Sequence, residues 1–166
     1  MTLTQIVFYI LAAVSVLSAL GVVFQRNPLY SALALIVTLV SMALLFVQLN
    51  AGFLAAVQVI VYAGAIMVLF IFIIMLLNLA DSGGRSLAQV PAKALGVLLL
   101  GVLFASIYAA VGAPRGEGRA ALPEGFGSVE RVGLKLFGDY VLPFELSGVL
   151  LLGAILGTIV LARRKP

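Results

Sequence analysis

The side chains able to do chemistry are few in this 166-residue chain, and their types limit what they can do. There is no cysteine and no histidine, so thiolate or imidazole ligation of haem, zinc or iron–sulfur clusters is excluded, as is catalysis by either group. The six acidic residues are too scattered for a paired-carboxylate site, and no P-loop or serine-based triad accompanies them. Gly116-Glu117-Gly118-Arg119-Ala120-Ala121 formally matches the G-x-G-x-x-A dinucleotide fingerprint. That motif works only between a buried strand and a helix whose N-terminus receives the pyrophosphate. A polar loop between two apolar runs offers neither. No residue is therefore assigned as catalytic, cofactor-binding or metal-ligating.

What remains is polar chemistry inside apolar segments. Proton and ion carriers hold Asp, Glu, Lys, Arg or His within the membrane, yet the first four apolar runs carry none of these in their spans. Only Glu145 comes near, about four residues into the last run and so about 6 Å below its start. It follows Pro143 in the first turns of a helix, where the dipole favours an anion and the carboxylate can reach the headgroups, which makes it an interfacial acid. Gln58 and Tyr62 are one helical turn apart, and Ala51, Ala55, Ala65 and Leu69 fall on the same stripe at 100° per residue. A phenol near the middle of a span needs a partner, because an unpaired hydroxyl in hydrocarbon costs several kcal/mol. That face is expected to pack on protein. Small residues that let helix backbones approach recur at Ser15 and Ala19, and as G-x-x-x-G at Gly153 and Gly157. Tyr62-Ala63-Gly64-Ala65 is a local weakness, since glycine lowers helix propensity, and the residues alone leave a kink or a π-bulge open there.

These residues are carried by elements that the composition specifies. Hydrophobic residues make up 64% and charged residues 10% of the chain, against about 25% charged in a soluble domain, which excludes a water-soluble globule. The net charge of +4 sits at the edges of the apolar runs, where it sets membrane orientation and does not point to nucleic acid. Each helical crossing takes about 20 apolar residues. The uncharged run from Asn27 to Ala80 is 54 residues, too long for one crossing, and Asn50-Ala51-Gly52 is its natural break. Asn27-Pro28 reads as a cap followed by proline at the first helical position. The fold class is thus all-α, one polytopic membrane domain over residues 1–166 with spans at about 3–24, 29–49, 53–78, 94–111 and 141–162. The loop 112–140 is the only sizeable segment outside the bilayer; Ser128 to Phe137 reads as a short amphipathic helix with Val129, Val132 and Leu136 on one face. Six basic residues (Arg26, Arg85, Lys93, Arg163, Arg164, Lys165) lie on one side, and four (Arg115, Arg119, Arg131, Lys135) on the other. The positive-inside rule then puts the N-terminus outside and the C-terminus in the cytoplasm.

Three stretches resemble a known family. The run from Val57 to Phe70, VQVIVYAGAIMVLF, ending in Met75-Leu76-Leu77-Asn78, looks like the third-helix signature of the subunit J family of bacterial proton-pumping NADH-quinone oxidoreductase, complex I, counterpart of mitochondrial subunit 6. Asn27-Pro28-Leu29-Tyr30-Ser31-Ala32-Leu33 resembles the start of that family's second helix. Gly138-Asp139-Tyr140-Val141-Leu142-Pro143-Phe144-Glu145-Leu146, with Leu161-Ala162-Arg163-Arg164, resembles its last. The likeness spans nearly the whole chain and is weakest from Asp81 to Gly127.

The resemblance implies a five-helix, multi-pass subunit of the bacterial inner membrane, between the quinone-site subunit and the antiporter-like subunits and beside subunits A, H, K and N. It implies a third helix with a π-bulge near its Tyr-x-Gly segment that rotates between α and π forms and links quinone reduction to proton pumping. Carried over by position, the coupling residues are Tyr62, Ala63, Gly64, Ala65 and Met67. FMN, iron–sulfur clusters and quinone are expected in other subunits, with no cofactor and no catalytic group on this chain. The rival readings are a component of a multi-subunit cation/proton antiporter, a small channel, or a space-filling structural subunit.

Overall fold

The computed structural model describes residues 2–77, 90–112 and 125–163, and among these every regular element is a helix. The chain runs α1 (Leu3–Phe24), α2 (Pro28–Gln48), α3 (Gly52–Val57), a π-helix (Gln58–Ile66), α4 (Met67–Leu77), α5 (Val90–Gly112), α6 (Val129–Phe137) and α7 (Val141–Ala162). The segments α3, π and α4 form one continuous third helix, Gly52–Leu77. Among the described residues four helices are long and apolar enough to cross a membrane: α1, α2, the third helix and α7. A shorter apolar stretch, Leu98–Ala109, lies within α5. The helices group into two compact units, with α5 in the second.

Helix ends follow local chemistry. The Asn27 side chain accepts a hydrogen bond from the Leu29 amide at 2.9 Å, with Pro28 in the first helical position, so one orphan donor is satisfied and another is absent. At the other end of α2, Asn50 takes the left-handed conformation (φ 58°). The Ala51 amide then donates to the Phe46 carbonyl at 2.9 Å and the Asn50 amide to that of Val47 at 3.0 Å. This is a Schellman ending. The break therefore falls where the Asn50-Ala51-Gly52 signal put it, with Asn50 supplying the positive φ. Helix α5 begins four residues before the expected Ala94, because Pro91 is tolerated in a first turn.

Within the larger unit α2 is central, with α1 on one side and the third helix on the other. Small and hydroxylic residues form the α1–α2 seam. A side-chain carbon at Gly21 would lie 3.5 Å from the Ala34 Cβ, Ser18 and Thr38 share a hydroxyl hydrogen bond at 2.8 Å, and the Ser31 hydroxyl donates to the Val22 carbonyl at 2.7 Å. Close backbones and interhelical hydrogen bonds replace the hydrophobic effect that lipid cannot supply between helices. Ser15 faces this seam, its Oγ enclosed and without a hydrogen-bond partner. Ala19, expected beside it, is exposed.

A tertiary lock joins the α2–α3 turn to the segment before α6. The Phe53 amide donates to the Gly127 carbonyl at 3.2 Å. Gly127 has φ 74°, and a side-chain carbon there would collide with the Asn50 carbonyl oxygen and lie 2.7 Å from the Ala51 Cα. Ser128 caps α6 by accepting from the Arg131 amide at 3.3 Å, with Glu130 in the first turn and Lys135 in the last, both matched to the helix dipole. Val132 and Leu136 turn inward as expected, but Val129 is exposed. Phe137 and Phe144 pack edge to face at 5.0 Å across the turn into α7. Helix α7 is exposed along its whole length.

Candidate functional site

The third helix starts as an ordinary α-helix and changes register at Gln58. From Gln58 to Ile66 its hydrogen bonds close one residue further along, i→i+5 in place of i→i+4. The local sequence favours this. Val59-Ile60-Val61 is a β-branched run with reduced helix propensity, and Ala63-Gly64-Ala65 follows with almost no side chain. At Gly64 the position of a side-chain carbon lies 3.2 Å from the Val59 carbonyl oxygen, five residues back. The wide turn closes on a residue that has no such carbon.

The register change decides which side chains face inward. Ala55, Gln58 and Met67 are the buried residues of the third helix, at 6%, 8% and 3% exposure. In an unbroken α-helix the nine steps from Gln58 to Met67, at about 100° each, would amount to two and a half turns and put them on opposite sides. The π-turns bring both to the inner side. The stripe expected from a uniform 100° step therefore holds only for its first half. Ala51 is half-buried and Ala55 and Gln58 are buried, but Ala65 and Leu69 face outward because the α-helical step does not apply after Gln58. Ala63 and Gly64 are half-buried in their place.

Gln58 and Tyr62 do share one site. With Phe46 of α2 and Phe53, Leu54 and Val57 of α3, they line an open hollow of about 270 Å³. Tyr62 remains half-exposed beside it. Of the coupling residues, Tyr62, Ala63, Gly64 and Ala65 lie within the π-segment and Met67 is the first residue after it. Glu145 is exposed in the first turns of α7, and side-chain carbons at Gly153 and Gly157 would meet nothing within 4 Å. These glycines serve no close packing among the described residues. The fingerprint-like stretch Gly116–Ala121, Asn78 and the basic residues Arg85, Arg115, Arg119, Arg164 and Lys165 lie outside the described residues.

Two features were not anticipated. The Asn50–Gly127 lock joins residues far apart in sequence, and only the Gly-x-Gly spacing of Gly125 and Gly127, both at positive φ, hinted at a tight turn. Lys135 and Asp139 form an ion pair at the α6–α7 corner. Their hydrogen bond and mutual charge lower the Asp139 pKa and raise that of Lys135.

Comparison with known proteins covers most of the chain. A family model for NADH-ubiquinone/plastoquinone oxidoreductase chain 6 matches residues 18–161. The chain is 42% identical to NAD(P)H-quinone oxidoreductase chain 6 of Leptolyngbya boryana, covering 95% of this chain and 79% of that protein. It is 35% identical to NADH-quinone oxidoreductase subunit J of Rhodobacter capsulatus, with 99% and 84% covered. To the subunit of the same name in Escherichia coli K12 it is 37% identical, with 91% and 82% covered.

Proposed function

The chain belongs to the NADH-ubiquinone/plastoquinone oxidoreductase chain 6 family, and from that we propose that it is a non-catalytic membrane subunit of a proton-translocating NADH-quinone oxidoreductase whose third helix couples quinone reduction to pumping. The observation that carries this reading is the π-segment Gln58–Ile66, placed between two α-helical stretches whose buried faces it brings into line. A π-turn is a marginal structure, so its conversion to α rotates α4 relative to α3 by about 100° for each residue of register. Such a rotation re-aims Val68 and Phe70, both exposed on α4, and clears or blocks a water path between this helix and its neighbours. The redox chemistry belongs to FMN, iron–sulfur clusters and quinone in other subunits. The partners are membrane subunits of the A, H, K and N types, and the setting is the bacterial inner membrane.

In this reading α5 is a fifth crossing. The third helix, at 26 residues, is about 39 Å long, more than the roughly 30 Å of a hydrocarbon core. Its first turn is tied to Gly127, which supports a reading in which α5 returns the chain across the membrane. The 23 residues of α5 give about 34 Å for that return. The N-terminus is then outside and the C-terminus cytoplasmic, in accord with the distribution of basic residues.

The test is Gly64→Val in the assembled enzyme. A branched side chain against the Val59 carbonyl disfavours the π-register, so quinone-linked proton pumping should fall severalfold while NADH oxidation by artificial acceptors is unchanged. Normal coupled rates in a fully assembled variant would overturn the proposal. Ion flux through the isolated chain in vesicles would also overturn it, in favour of a channel.

A further inference from the structure

We infer that the hollow between α6 and the α2–α3 turn is a binding site for an anionic phospholipid, with the phosphate on Arg131 and an acyl chain between Leu54, Val132 and Leu136. The hollow measures about 520 Å³, within the roughly 300–1,000 Å³ of ligand pockets. Its position fixes its depth in the bilayer. Ala51, on its rim, immediately precedes the first residue of the third helix, and Tyr140 immediately precedes the first residue of α7. Two apolar membrane helices therefore start at its edge, which is the level of the headgroups.

Its chemistry matches a lipid at that level. The walls from Leu54, Phe126, Val132 and Leu136 are apolar. Among the charged residues of α6 and the turn after it, the two that line the hollow are both cations, Arg131 and Lys135, while Glu130 and Asp139 lie off it. Lys135 is engaged by Asp139. Arg131 forms no ion pair among the described residues and folds its stem over the Gly125 turn. Arg131 lines the hollow, and its planar guanidinium fork suits a phosphate. Tyr140 adds the amphipathic ring typical of membrane interfaces. A neutral or apolar occupant would leave Arg131 without a counter-charge among the described residues, whereas an anionic headgroup supplies one.

The chain has no tryptophan, so Tyr140→Trp makes a sole-tryptophan reporter in the full-length protein. In vesicles containing a minor fraction of phosphatidylglycerol brominated on its acyl chains, quenching should show a roughly fivefold preference over equally brominated phosphatidylcholine, the contribution of one basic residue beside an anionic lipid. Arg131→Gln should abolish the preference, while Leu150→Trp on α7 should show none. Equal quenching by the two lipids, or a preference that survives Arg131→Gln, would overturn the inference. So would a reporter in the assembled enzyme that neither lipid quenches, since the hollow would then be filled by protein. Phe126→Trp gives the same readout from the opposite wall if the Tyr140 variant does not fold.

Discussion

Single residues in this chain act mostly through the space they leave. Gly125 and Gly127 have nearly the same positive φ, but a side chain at Gly125 meets its nearest neighbour only at 3.6 Å, whereas at Gly127 it strikes the α2–α3 turn. Gly125→Ala should therefore cost only the left-handed backbone term, about 1–2 kcal/mol. Gly127→Ala should cost clearly more and release the Phe53 amide. Hydrogen exchange at Phe53 in detergent separates the two, and equal exchange in both variants would refute the lock. Charge acts at one exposed corner, where the Lys135–Asp139 pair depresses the Asp139 carboxyl and raises the Lys135 amine. A carboxyl lowered by its partner stabilises the fold above its unfolded pKa and loses that contribution as pH falls through the folded value; a raised amine does the reverse, losing its contribution as pH rises through the folded value. The protection of the amides at the α6–α7 corner, taken relative to their intrinsic exchange at each pH, should thus be greatest around neutrality and fall in both acid and strong alkali. Asp139→Asn should flatten the profile.

At the scale of the element, the third helix is two α-helical pieces held in phase by a wider turn. Gln58 and Met67 mark the two inner faces, and only the π-segment lets one neighbour, α2, bury both. Deleting Ala63 removes one residue of register. A continuous α-helix would then place Gln58 and Met67 about 80° apart, still within a buried stripe about 100° wide. The variant should fold and assemble with its downstream face nearly in place, yet be unable to switch. Quinone-linked pumping should drop at least tenfold at unchanged NADH oxidation by artificial acceptors, and retention of coupling would show that the register change plays no part. Helix α7 makes a different point. Its Gly153 and Gly157 lie open, so its apolar surface is available to lipid or other chains.

At the largest scale, the first unit sets three helices in a row, α1, α2 and the third helix. Buried apolar residues are confined to Ala32, Ala43, Ala55 and Met67 among the described residues. Most of its large apolar side chains face outward, as they would against lipid or other chains. Mild detergent extraction followed by native sizing should find the chain in a several-hundred-kilodalton particle that stains for NADH oxidation. Migration as a small oligomer would contradict the assignment to a larger assembly.

The limits of α1 and α7 were legible to the residue, as Leu3–Phe24 and Val141–Ala162, because a membrane span is set by a local quantity, the length of a run that is apolar or nearly so. The Asn27-Pro28 start and the Asn50 stop were legible for the same reason, since each cap is satisfied within a few residues. The residues by themselves left the outcome at Tyr62–Ala65 open between a kink and a π-bulge; the resemblance implied the bulge, and the helix is π from Gln58 to Ile66. With that register Gln58 and Met67 are both buried, so the expected positions of Ala65 and Leu69, which assumed a uniform 100° step, failed. The pairing of Asn50 with Gly127, and the hollow beside it, join residues more than seventy positions apart. No periodicity records such a contact, and it is tertiary packing that brings it about.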